Sequence, residues 1–347
     1  MDPDERSTEL SMEELAALAD TAGADTVAMV LQSRQAPDPR CFLGAGKLRE
    51  IREIAEAQEC DLAVIDNELS PSQARAMEEE LGIRVLDRSG LILDIFAQRA
   101  RTREGRLQVE LAQYEYLLPR LTGMWTHLKR QAATSAPLGT RGPGETQLET
   151  DRRHIRRKIQ KLTRDLEQVR RVRSTQRRLR EKNAMPMVAL VGYTNAGKST
   201  VLNRLTRSDM PANDRLFDTL DTTTRRLWLP ELGREVLLSD TVGFIRKLPT
   251  HLIEAYKATL EELKYADLLL HVIDVSAPDW AEQAGVTDAL IRSLGAERTP
   301  VLRVYNKCDA LPPLTELPRD RGGVCISAKT GEGTDDLLER ITKELMT

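Results

Sequence analysis

The sequence predicts an α/β protein in three parts, and three observations support this division. Helical and strand-like patterns alternate over residues 1–105, which predicts a small parallel α/β sheet domain. Two long amphipathic stretches around a Pro- and Gly-rich break at 131–147 predict an antiparallel helical hairpin, a coiled coil, over residues 106–185. A strand, a glycine-rich turn and a helix then begin a further α/β domain over residues 186–347.

The composition is that of a soluble protein with a highly charged surface. Its 347 residues are 40% hydrophobic and 30% charged, and they exceed the roughly 250–300 residues that a single core reaches. No apolar run approaches the ~20 residues that span a bilayer, and the acidic start MDPDERSTEL lacks the features of a signal peptide. We therefore expect a cytoplasmic protein with no membrane partner, whose four cysteines are reduced thiols.

The N-terminal part combines short apolar runs with amphipathic stretches. We predict strands at 26–31, 62–65 and 84–86, and helices at 12–22, 48–58 and 70–81. The segment GAGK at 44–47 lacks the spacing of a phosphate loop and predicts a tight turn into a helix. Because ligands favour the crevice beyond the carboxyl ends of parallel strands, Asp66, Asn67 and Asp87 would lie near any second site.

Two long predicted helices each carry one apolar face. The first lies within 91–124 and the second runs over 148–182. The faces consist of Leu107, Leu111, Tyr114, Leu118 and Leu121, and of Leu148, Ile155, Ile159, Leu162, Leu166 and Val169. Spacing by threes, fours and sevens is typical of a coiled coil.

The second helix is strongly basic, although the net charge of the chain is −3. Residues 151–182 hold 14 Arg and Lys residues against four acids, a local balance of +10. A solvated helix face is the ordinary explanation of a charge run, but mixed signs would serve solubility better. We therefore interpret this helix as a surface for nucleic-acid phosphates. Aromatic residues make up only 4% of the chain, so structured RNA is a better match than stacked single strands.

The third part begins with a phosphate-binding loop. A strand at 188–191 leads into Gly192-x-x-x-x-Gly197-Lys198-Ser199, and a helix follows. Backbone N–H groups and the helix N-terminus would hold phosphates, Lys198 would reach the β- and γ-phosphates, and the Ser199 hydroxyl would bind Mg²⁺. The predicted binding residues are Gly192, Tyr193, Thr194, Asn195, Ala196, Gly197, Lys198, Ser199 and Thr200.

Two downstream motifs identify the base. NKCD at 306–309 follows a predicted strand at 301–305, and the Asp309 carboxylate can accept from N1–H and the 2-amino group of guanine. Adenine offers neither donor there and would leave a desolvated carboxylate unpaired, at a cost of roughly 1–3 kcal/mol. SAK at 327–329 would support the base through a backbone N–H. The expected nucleotide is GTP, and the predicted base-binding residues are Asn306, Lys307, Asp309, Ser327, Ala328 and Lys329.

Two segments between these motifs are predicted to respond to the γ-phosphate. After a strand at 235–239, Asp240 can hold Mg²⁺ through water and the Gly243 N–H can meet the γ-phosphate. Thr219 can complete the Mg²⁺ shell, with the three hydroxyls at 222–224 as competitors. The predicted residues are Phe217, Asp218, Thr219, Leu220, Asp221, Asp240, Thr241, Val242 and Gly243. The family resemblance described below selects Thr219 among these hydroxyls, which makes Ser199, Thr219 and Asp240 the predicted metal ligands and Lys198, Thr219 and Gly243 the predicted catalytic residues.

The residue after Gly243 is Phe244 rather than glutamine. A phenyl ring cannot orient a water molecule by hydrogen bonding. We therefore expect slow intrinsic GTP hydrolysis and an outside group that completes the site.

The rest of the third part is typical of a sheet covered by helices. We predict a hairpin with strands at 227–229 and 236–238, a buried strand at 268–275, and helices at 281–294 and 334–346. His271 lies inside the buried strand and is interpreted as a core residue. None of the four histidines is assigned a role.

Five segments of the chain carry a family resemblance. They are LILDIFAQRARTREGRLQVELAQ at 91–113, GTRGPGETQLETDRR at 139–153, VGYTNAGKST at 191–200, DTLDTTTR at 218–225 and DTVGFIRKLPTHLIEAYKATLEE at 240–262. In these segments the chain resembles the HflX family of translational GTPases. The resemblance implies a GTP hydrolase that binds the large ribosomal subunit and its rRNA, with its hairpin near the peptidyl-transferase centre. It also implies hydrolysis stimulated by the ribosome, separation of subunits under stress, and Thr219 as the Mg²⁺ ligand.

The resemblance bears on three further points. Related GTPases with Asn at the position of Asn195 use it to bind K⁺; the alternative is that Asn195 only shapes the loop. The family's loop before GTRGPGE is usually glycine-rich, whereas residues 132–137 read AATSAP here. Some relatives bind ATP at the N-terminal domain, but residues 1–105 contain no recognisable phosphate loop.

Three hypotheses of function follow from the sequence. The first is an enzyme whose GTP-ordered switches dock the hairpin on the ribosome and whose hydrolysis triggers release. The second is a GTP-regulated RNA-binding factor that occupies the large subunit without splitting ribosomes. The third is a signalling switch for protein partners, with a merely structural basic helix. In each case we expect a monomer.

Overall fold

The computed structural model describes residues 3–124, 143–182, 185–208, 216–220, 222–248, 252, 261–312 and 322–346. The chain divides into two compact units. One comprises Met1–Gln98 and Leu107–Leu166; the other comprises Arg99–Arg106 and Glu167–Thr347. In these described ranges, no helix has both the length and the apolar character needed to cross a bilayer. The predicted fold class is confirmed, because a small parallel sheet, a helical region and a larger sheet domain follow one another along the chain.

The described elements up to residue 182 are mostly helical. They are α1 (Pro3–Ala22), α2 (Ala45–Ala57), β1 (Leu62–Ile65), α3 (Pro71–Leu81), β2 (Arg84–Asp87), α4 (Arg88–Arg99), α5 (Arg103–Met124) and α6 (Pro143–Lys182). The predicted strand at 62–65 is confirmed to the residue. The segment 44–47 leads into a helix as predicted, but it is not a turn, because Gly44 is the N-cap of α2 and residues 45–47 are already helical. The predicted loop at 131–147 ends earlier than expected, because α6 already begins at Pro143; residues 125–142 lie outside the described part.

The small sheet has two strands, with β1 parallel to β2 and Leu62 opposite Arg84. The predicted third strand at 26–31 is wrong. That segment forms no ladder in the structure, and the side chains of Val27, Met29 and Leu31 are 53%, 55% and 44% exposed. The apolar residues at 26–31 were therefore not enough to predict a strand, because a strand also requires a partner for its backbone groups.

Local signals explain why α3 begins and ends where it does. The Ser70 hydroxyl accepts from the Gln73 N–H at 3.2 Å, and the Gln73 side chain accepts from the Ser70 N–H at 3.0 Å. This reciprocal cap satisfies two helix N–H groups that would otherwise lack partners. At the other end, Gly82 adopts φ of 73°, the left-handed conformation that terminates helices.

The two aspartates at the carboxyl ends of β1 and β2 have internal partners. Asp66 accepts from the Ser11 hydroxyl at 2.6 Å and from the buried Arg88 guanidinium at 2.6 Å. Asp87 is 2% exposed and accepts from the Tyr116 hydroxyl at 2.8 Å and from Arg120 at 2.7 Å. Both carboxylates therefore have a structural role, and the hypothesis that they lie near a second site stays a prediction.

The helical region packs through the predicted apolar faces. Leu111 on α5 and Leu162 and Leu166 on α6 are buried in one cluster. Leu107, Tyr114 and Ile159 pack against it, and all six belong to the predicted faces. Leu118 and Leu121 lie on α5 outside this cluster. The predicted single helical stretch of 91–124 is interrupted at 100–102, between α4 and α5.

The remaining elements form the larger sheet domain. They are β3 (Met187–Gly192), α7 (Lys198–Thr206), β4 (Thr223–Leu229), β5 (Arg234–Asp240), β6 (Leu268–Asp274), α8 (Trp280–Ser293), β7 (Val301–Asn306), β8 (Val324–Cys325) and α9 (Thr334–Met346). Within the described residues of this domain, six strands lie in the order β4-β5-β3-β6-β7-β8. Only the β4–β5 pair is antiparallel, as the predicted hairpin requires; the other pairs in this sheet are parallel.

Helices cover both faces of this sheet. Leu270 and Val272 of β6 join a core cluster with residues of α7 and α9, whereas Ile273 faces a second cluster with residues of α8. Alternate residues of a strand point to opposite faces, so the two clusters lie on opposite sides. His271 is buried, with its Nδ1 atom 3.2 Å from Asp288 of α8, which agrees with its interpretation as a core residue.

Candidate functional site

The phosphate-loop motif lies at the centre of the larger sheet. Every residue of β3 is buried, and β3 pairs in parallel with β5 on one side and β6 on the other. The strand ends at Gly192, and α7 begins at Lys198. Residues 193–197 therefore form a short loop at the carboxyl edge of a fully buried strand, where parallel sheets bind ligands.

Both glycines of the motif are required by close backbone approaches. A Cβ atom at Gly192, where φ is 155°, would lie 2.2 Å from the Val272 carbonyl oxygen. A Cβ atom at Gly197, where φ is 90°, would lie 2.3 Å from the Asn306 side-chain nitrogen. Any larger residue would strain the backbone and push the loop away from β6 or from the 306–309 motif.

Lys198 is buried at the start of α7. The residue is only 6% exposed, and its ammonium donates to the carbonyl oxygens of Gly192 at 3.2 Å and Tyr193 at 2.8 Å. Burial lowers the pKa of Lys198 to about 8, because desolvation outweighs the attraction of Asp240. An anion in the loop would favour the charged form of this group.

Three predicted metal ligands from three segments converge beside Lys198. The Ser199 hydroxyl donates to Asp240 Oδ2 at 2.5 Å and lies 2.7 Å from the Thr219 hydroxyl. Asp240 is fully buried, and burial raises its pKa in spite of the nearby Lys198 ammonium. Among the described residues, Asp240 Oδ1 has no hydrogen-bond partner. Two hydroxyls and a carboxylate with an unmatched buried oxygen are suitable ligands for a hard divalent cation such as Mg²⁺.

Two of the three alternatives to Thr219, Thr223 and Thr224, belong to β4. Thr223 begins β4, and the Thr224 hydroxyl lies 3.2 Å from that of Ser239. The structure thus brings Thr219, and not these two residues, next to Ser199. Asp221, also predicted for this segment, lies outside the described residues.

An anchor that the sequence did not indicate fixes the segment of Thr219. Phe217 is 1% exposed with φ of 55°, and its N–H donates to the Thr194 hydroxyl at 2.9 Å. Thr194 belongs to the phosphate loop and is itself buried. The loop and the 217–220 segment are therefore joined by a buried hydrogen bond.

Many residues of the predicted phosphate site line one open cavity. Its lining residues are Thr194, Asn195, Gly197, Lys198, Ser199, Thr200, Phe217, Asp218, Thr219 and Gly243. Seven predicted residues of this part do not line it, and each is buried: Gly192, Tyr193, Ala196, Leu220, Asp240, Thr241 and Val242. The Thr241 hydroxyl, for example, donates to the Leu190 carbonyl at 2.7 Å.

Phe244 belongs to the packing beneath the loop. The Phe244 N–H donates to the Gly192 carbonyl at 3.1 Å, and the Thr194 N–H donates to the Phe244 carbonyl at 2.7 Å. Its side chain is 1% exposed. Tyr193, on the neighbouring loop, accepts from the Arg246 N–H at 2.9 Å, a contact that the sequence gave no reason to expect.

Asn306 connects the two motifs assigned to the base with the phosphate loop. It is 2% exposed; its side-chain nitrogen donates to the Ala196 carbonyl at 2.9 Å, and its oxygen accepts from the Ala328 N–H at 3.0 Å. Lys307 is anchored by an ion pair with Asp274 at 2.7 Å. Asp309 lies exposed in a short 3-10 helix, Cys308–Ala310, where its carboxylate can meet a base.

Comparison with known proteins shows which family the chain belongs to. Sequence profiles of three families match consecutive parts of the chain: the N-terminal domain of GTP-binding GTPases at residues 9–97, their middle region at 99–180, and 50S ribosome-binding GTPases at 187–307. The GTPase HflX of Alkalihalophilus pseudofirmus is 52% identical over 337 residues, which cover 97% of this chain and 79% of that protein. The GTPase HflX of Escherichia coli is 46% identical over 339 residues, which cover 96% of this chain and 79% of that protein.

The chain belongs to the HflX family of GTPases.

A solved structure supports the same architecture. The crystal structure of SsGBP in complex with GDP is 25% identical to this HflX-family chain, with a TM-score of 0.52. The alignment covers 96% of this chain and 95% of that chain. The family assignment therefore includes the N-terminal and helical parts as well as the P-loop GTPase domain.

Replacing Thr194 with Val tests the anchor of the 217–220 segment. Valine matches threonine in shape but cannot accept from the Phe217 N–H, and an unsatisfied buried donor costs roughly 1–3 kcal/mol. We expect amide hydrogen exchange in residues 216–220 to accelerate by about tenfold and GTP turnover to fall. Thr194→Ser retains the hydroxyl and should behave like the unmodified protein; equal exchange in Thr194→Val would contradict the anchor.

Proposed function

We propose that this chain binds GTP with Mg²⁺ at the described cavity, hydrolyses it to GDP and phosphate, and works on the large ribosomal subunit in the cytoplasm. The observation that supports the chemistry best is the convergence of Lys198, Ser199, Thr219 and Asp240 at the end of β3. Membership in the HflX family and the match to 50S ribosome-binding GTPases support the partner.

The phosphate loop supplies the binding of the triphosphate. Backbone N–H groups of residues 193–197 and the N-terminus of α7 would face the phosphates, and Lys198 would lie against the β- and γ-phosphates. Lys198 donates to the carbonyls of Gly192 and Tyr193, which holds its ammonium at the loop. A preorganised cation in a dry site stabilises developing charge more strongly than one in water.

Ser199, Thr219 and Asp240 would hold the metal ion. Bound Mg²⁺ would neutralise charge on the β- and γ-phosphate oxygens. Thr219 belongs to the 217–220 segment, and Asp240 and Gly243 belong to the 240–243 segment. Both segments would therefore respond to whether a γ-phosphate is present. Order in such segments that depends on the γ-phosphate is the usual basis of a GTPase switch.

Hydrolysis should depend on a group from outside the chain. Phe244 is buried and bonded through its backbone, so its side chain is not placed to orient an attacking water. In GTPases whose own residues do not complete the site, an outside group can accelerate hydrolysis by large factors. The ribosome is the partner we propose for this role.

The exposed basic face of α6 supports contact with ribosomal RNA. The exposed residues on the described part of this face include Arg153, Arg156, Arg157, Lys161 and Arg164. They lie opposite the buried Leu162 and Leu166, so packing against α5 leaves them available to phosphates. Their number and single sign favour a ribosomal partner over a purely protein-directed switch.

Asp309→Asn tests which base the site recognises. The asparagine can accept from N1–H, but its amino group faces the 2-amino group of guanine and instead suits the 2-oxygen of xanthine. We expect GTP affinity to fall about a hundredfold and XTP to become the preferred nucleotide. The control Asp336→Asn, an exposed carboxylate on α9, should bind GTP normally. Unchanged preference for GTP in Asp309→Asn would contradict the assignment.

Turnover in K⁺ and in Na⁺ tests the proposed role of Asn195. This residue lines the cavity, is exposed and adopts φ of 61°. We expect faster hydrolysis in K⁺ and loss of that preference in Asn195→Ala. Asn195→Gly tolerates the same backbone conformation and separates loop shape from cation binding. Equal rates of the unmodified protein in the two salts would leave Asn195 with the loop-shaping role alone.

Co-sedimentation with large ribosomal subunits tests the partner. We expect more binding with a non-hydrolysable GTP analogue than with GDP, and binding that weakens as salt rises. Arg153→Ala and Arg157→Ala should each weaken binding and reduce the salt slope by about one. Arg40→Ala, which removes an exposed arginine paired with Glu80, is the matched control. Failure to co-sediment in any nucleotide state would contradict the proposed partner.

Light scattering of 70S ribosomes distinguishes the two ribosomal hypotheses. We propose subunit separation because the family resemblance implies it, and a factor that merely occupies the large subunit is the second candidate. Mixing with GTP should lower scattering if subunits separate. Constant scattering under conditions where the protein co-sediments would support occupancy without splitting.

A further inference from the structure

Arg204 joins the helix after the phosphate loop to the loop 327–331. It lies in the last turn of α7, and its Nε atom donates to the Ala328 carbonyl at 2.9 Å. Its Nη2 atom donates to the Lys329 carbonyl. The guanidinium also lies against Gly331, where a Cβ atom would be 3.5 Å from Nη1. One side chain therefore forms hydrogen bonds with two consecutive carbonyl groups of the loop.

These bonds fix the direction of backbone N–H groups. The carbonyl of one residue and the N–H of the next belong to one rigid trans peptide plane and point in opposite directions. The bond from Arg204 to the Ala328 carbonyl therefore aims the Lys329 N–H away from Arg204. In the same way, the bond to the Lys329 carbonyl orients the Thr330 N–H, which donates to the Ser327 hydroxyl at 3.1 Å.

The Lys329 N–H differs from its neighbours in the loop. The Ala328 N–H donates to Asn306, and the Thr330 N–H donates to Ser327. Within the described parts of the chain, the Lys329 N–H donates to no protein group. It is thus an oriented donor in the loop next to Asn306, and a ligand with an acceptor atom would satisfy it.

We propose that Arg204 is a positioning residue for nucleotide recognition, which holds the Lys329 N–H toward the 6-oxygen of a guanine base. This inference rests on the proposed function, which assigns 306–309 and 327–329 to the base. Guanine presents an acceptor at position 6, whereas adenine presents an amino group that would face the N–H donor unfavourably. Arg204 therefore supports discrimination at the 6-position, while Asp309 acts at N1 and the 2-amino group.

The test is a thermodynamic cycle, which compares the affinities of the unmodified protein and of Arg204→Ala for two nucleotides. GDP carries the 6-oxygen, and 2-aminopurine ribonucleoside diphosphate lacks it. Arg204→Ala should weaken GDP binding about fivefold, the factor that corresponds to about 1 kcal/mol. It should change the affinity for the 2-aminopurine nucleotide by less than about twofold.

Conservative and control variants separate positioning from a structural role. Arg204→Lys keeps a donor without the planar fork and should lose only part of the GDP affinity. Arg226→Ala removes an exposed arginine of β4 that pairs with Glu235, and it should bind both nucleotides like the unmodified protein. Unfolding temperatures without nucleotide show whether each variant is folded; if Arg204→Ala is not, the same cycle is read from Arg204→Lys.

The outcomes also separate this inference from the proposed function. Equal losses for both nucleotides, or no loss for either, would overturn the role of Arg204. If the unmodified protein prefers GDP over ADP while Arg204→Ala behaves like it, only the present inference fails. If the unmodified protein binds GDP and ADP equally, the guanine assignment itself fails.

Discussion

The parallel pairing of β3 with β5 and β6 is the constraint on which the candidate site depends. Leu190 lies opposite Asp240, and Gly192 lies opposite Val272, so the phosphate loop and the 240–243 segment leave the sheet at the same edge. β3 is buried along its whole length, and a slip by one residue would turn each side chain to the other face. Packing on both faces of the sheet thus fixes where Lys198 and Asp240 meet.

This placement has an electrostatic consequence. An ammonium and a carboxylate are buried together, and desolvation lowers the pKa of Lys198 and raises that of Asp240. Burial of such a pair costs free energy that their mutual attraction only partly offsets. A triphosphate with a divalent cation brings an opposite charge to each group, so nucleotide binding should also stabilise the domain. Recognition of the nucleotide and stability of the loop are therefore linked.

The sequence predicted most elements of the larger domain because its signals are local. The strand before the phosphate loop, the β4–β5 hairpin and α9 each show a regular apolar pattern, and Gly192 and Gly197 stand at a fixed spacing. Contacts between distant segments left no such pattern. The Phe217 N–H donates to the Thr194 hydroxyl across 23 positions, and Arg204 donates to the Ala328 carbonyl across 124 positions. Only the fold brings these residues together. The strand predicted at 26–31 failed for the related reason that pairing is not a local property.

One site in this domain recognises both the guanine base and the metal-bound triphosphate, if the proposed function is correct. Calorimetric titration of the nucleotide-free protein with GTP and ATP, each with Mg²⁺ and with a chelator, measures both properties at once. We expect tight binding of GTP that weakens when Mg²⁺ is removed, and much weaker binding of ATP. Equal affinity for GTP and ATP, or GTP binding that does not respond to Mg²⁺, would contradict it.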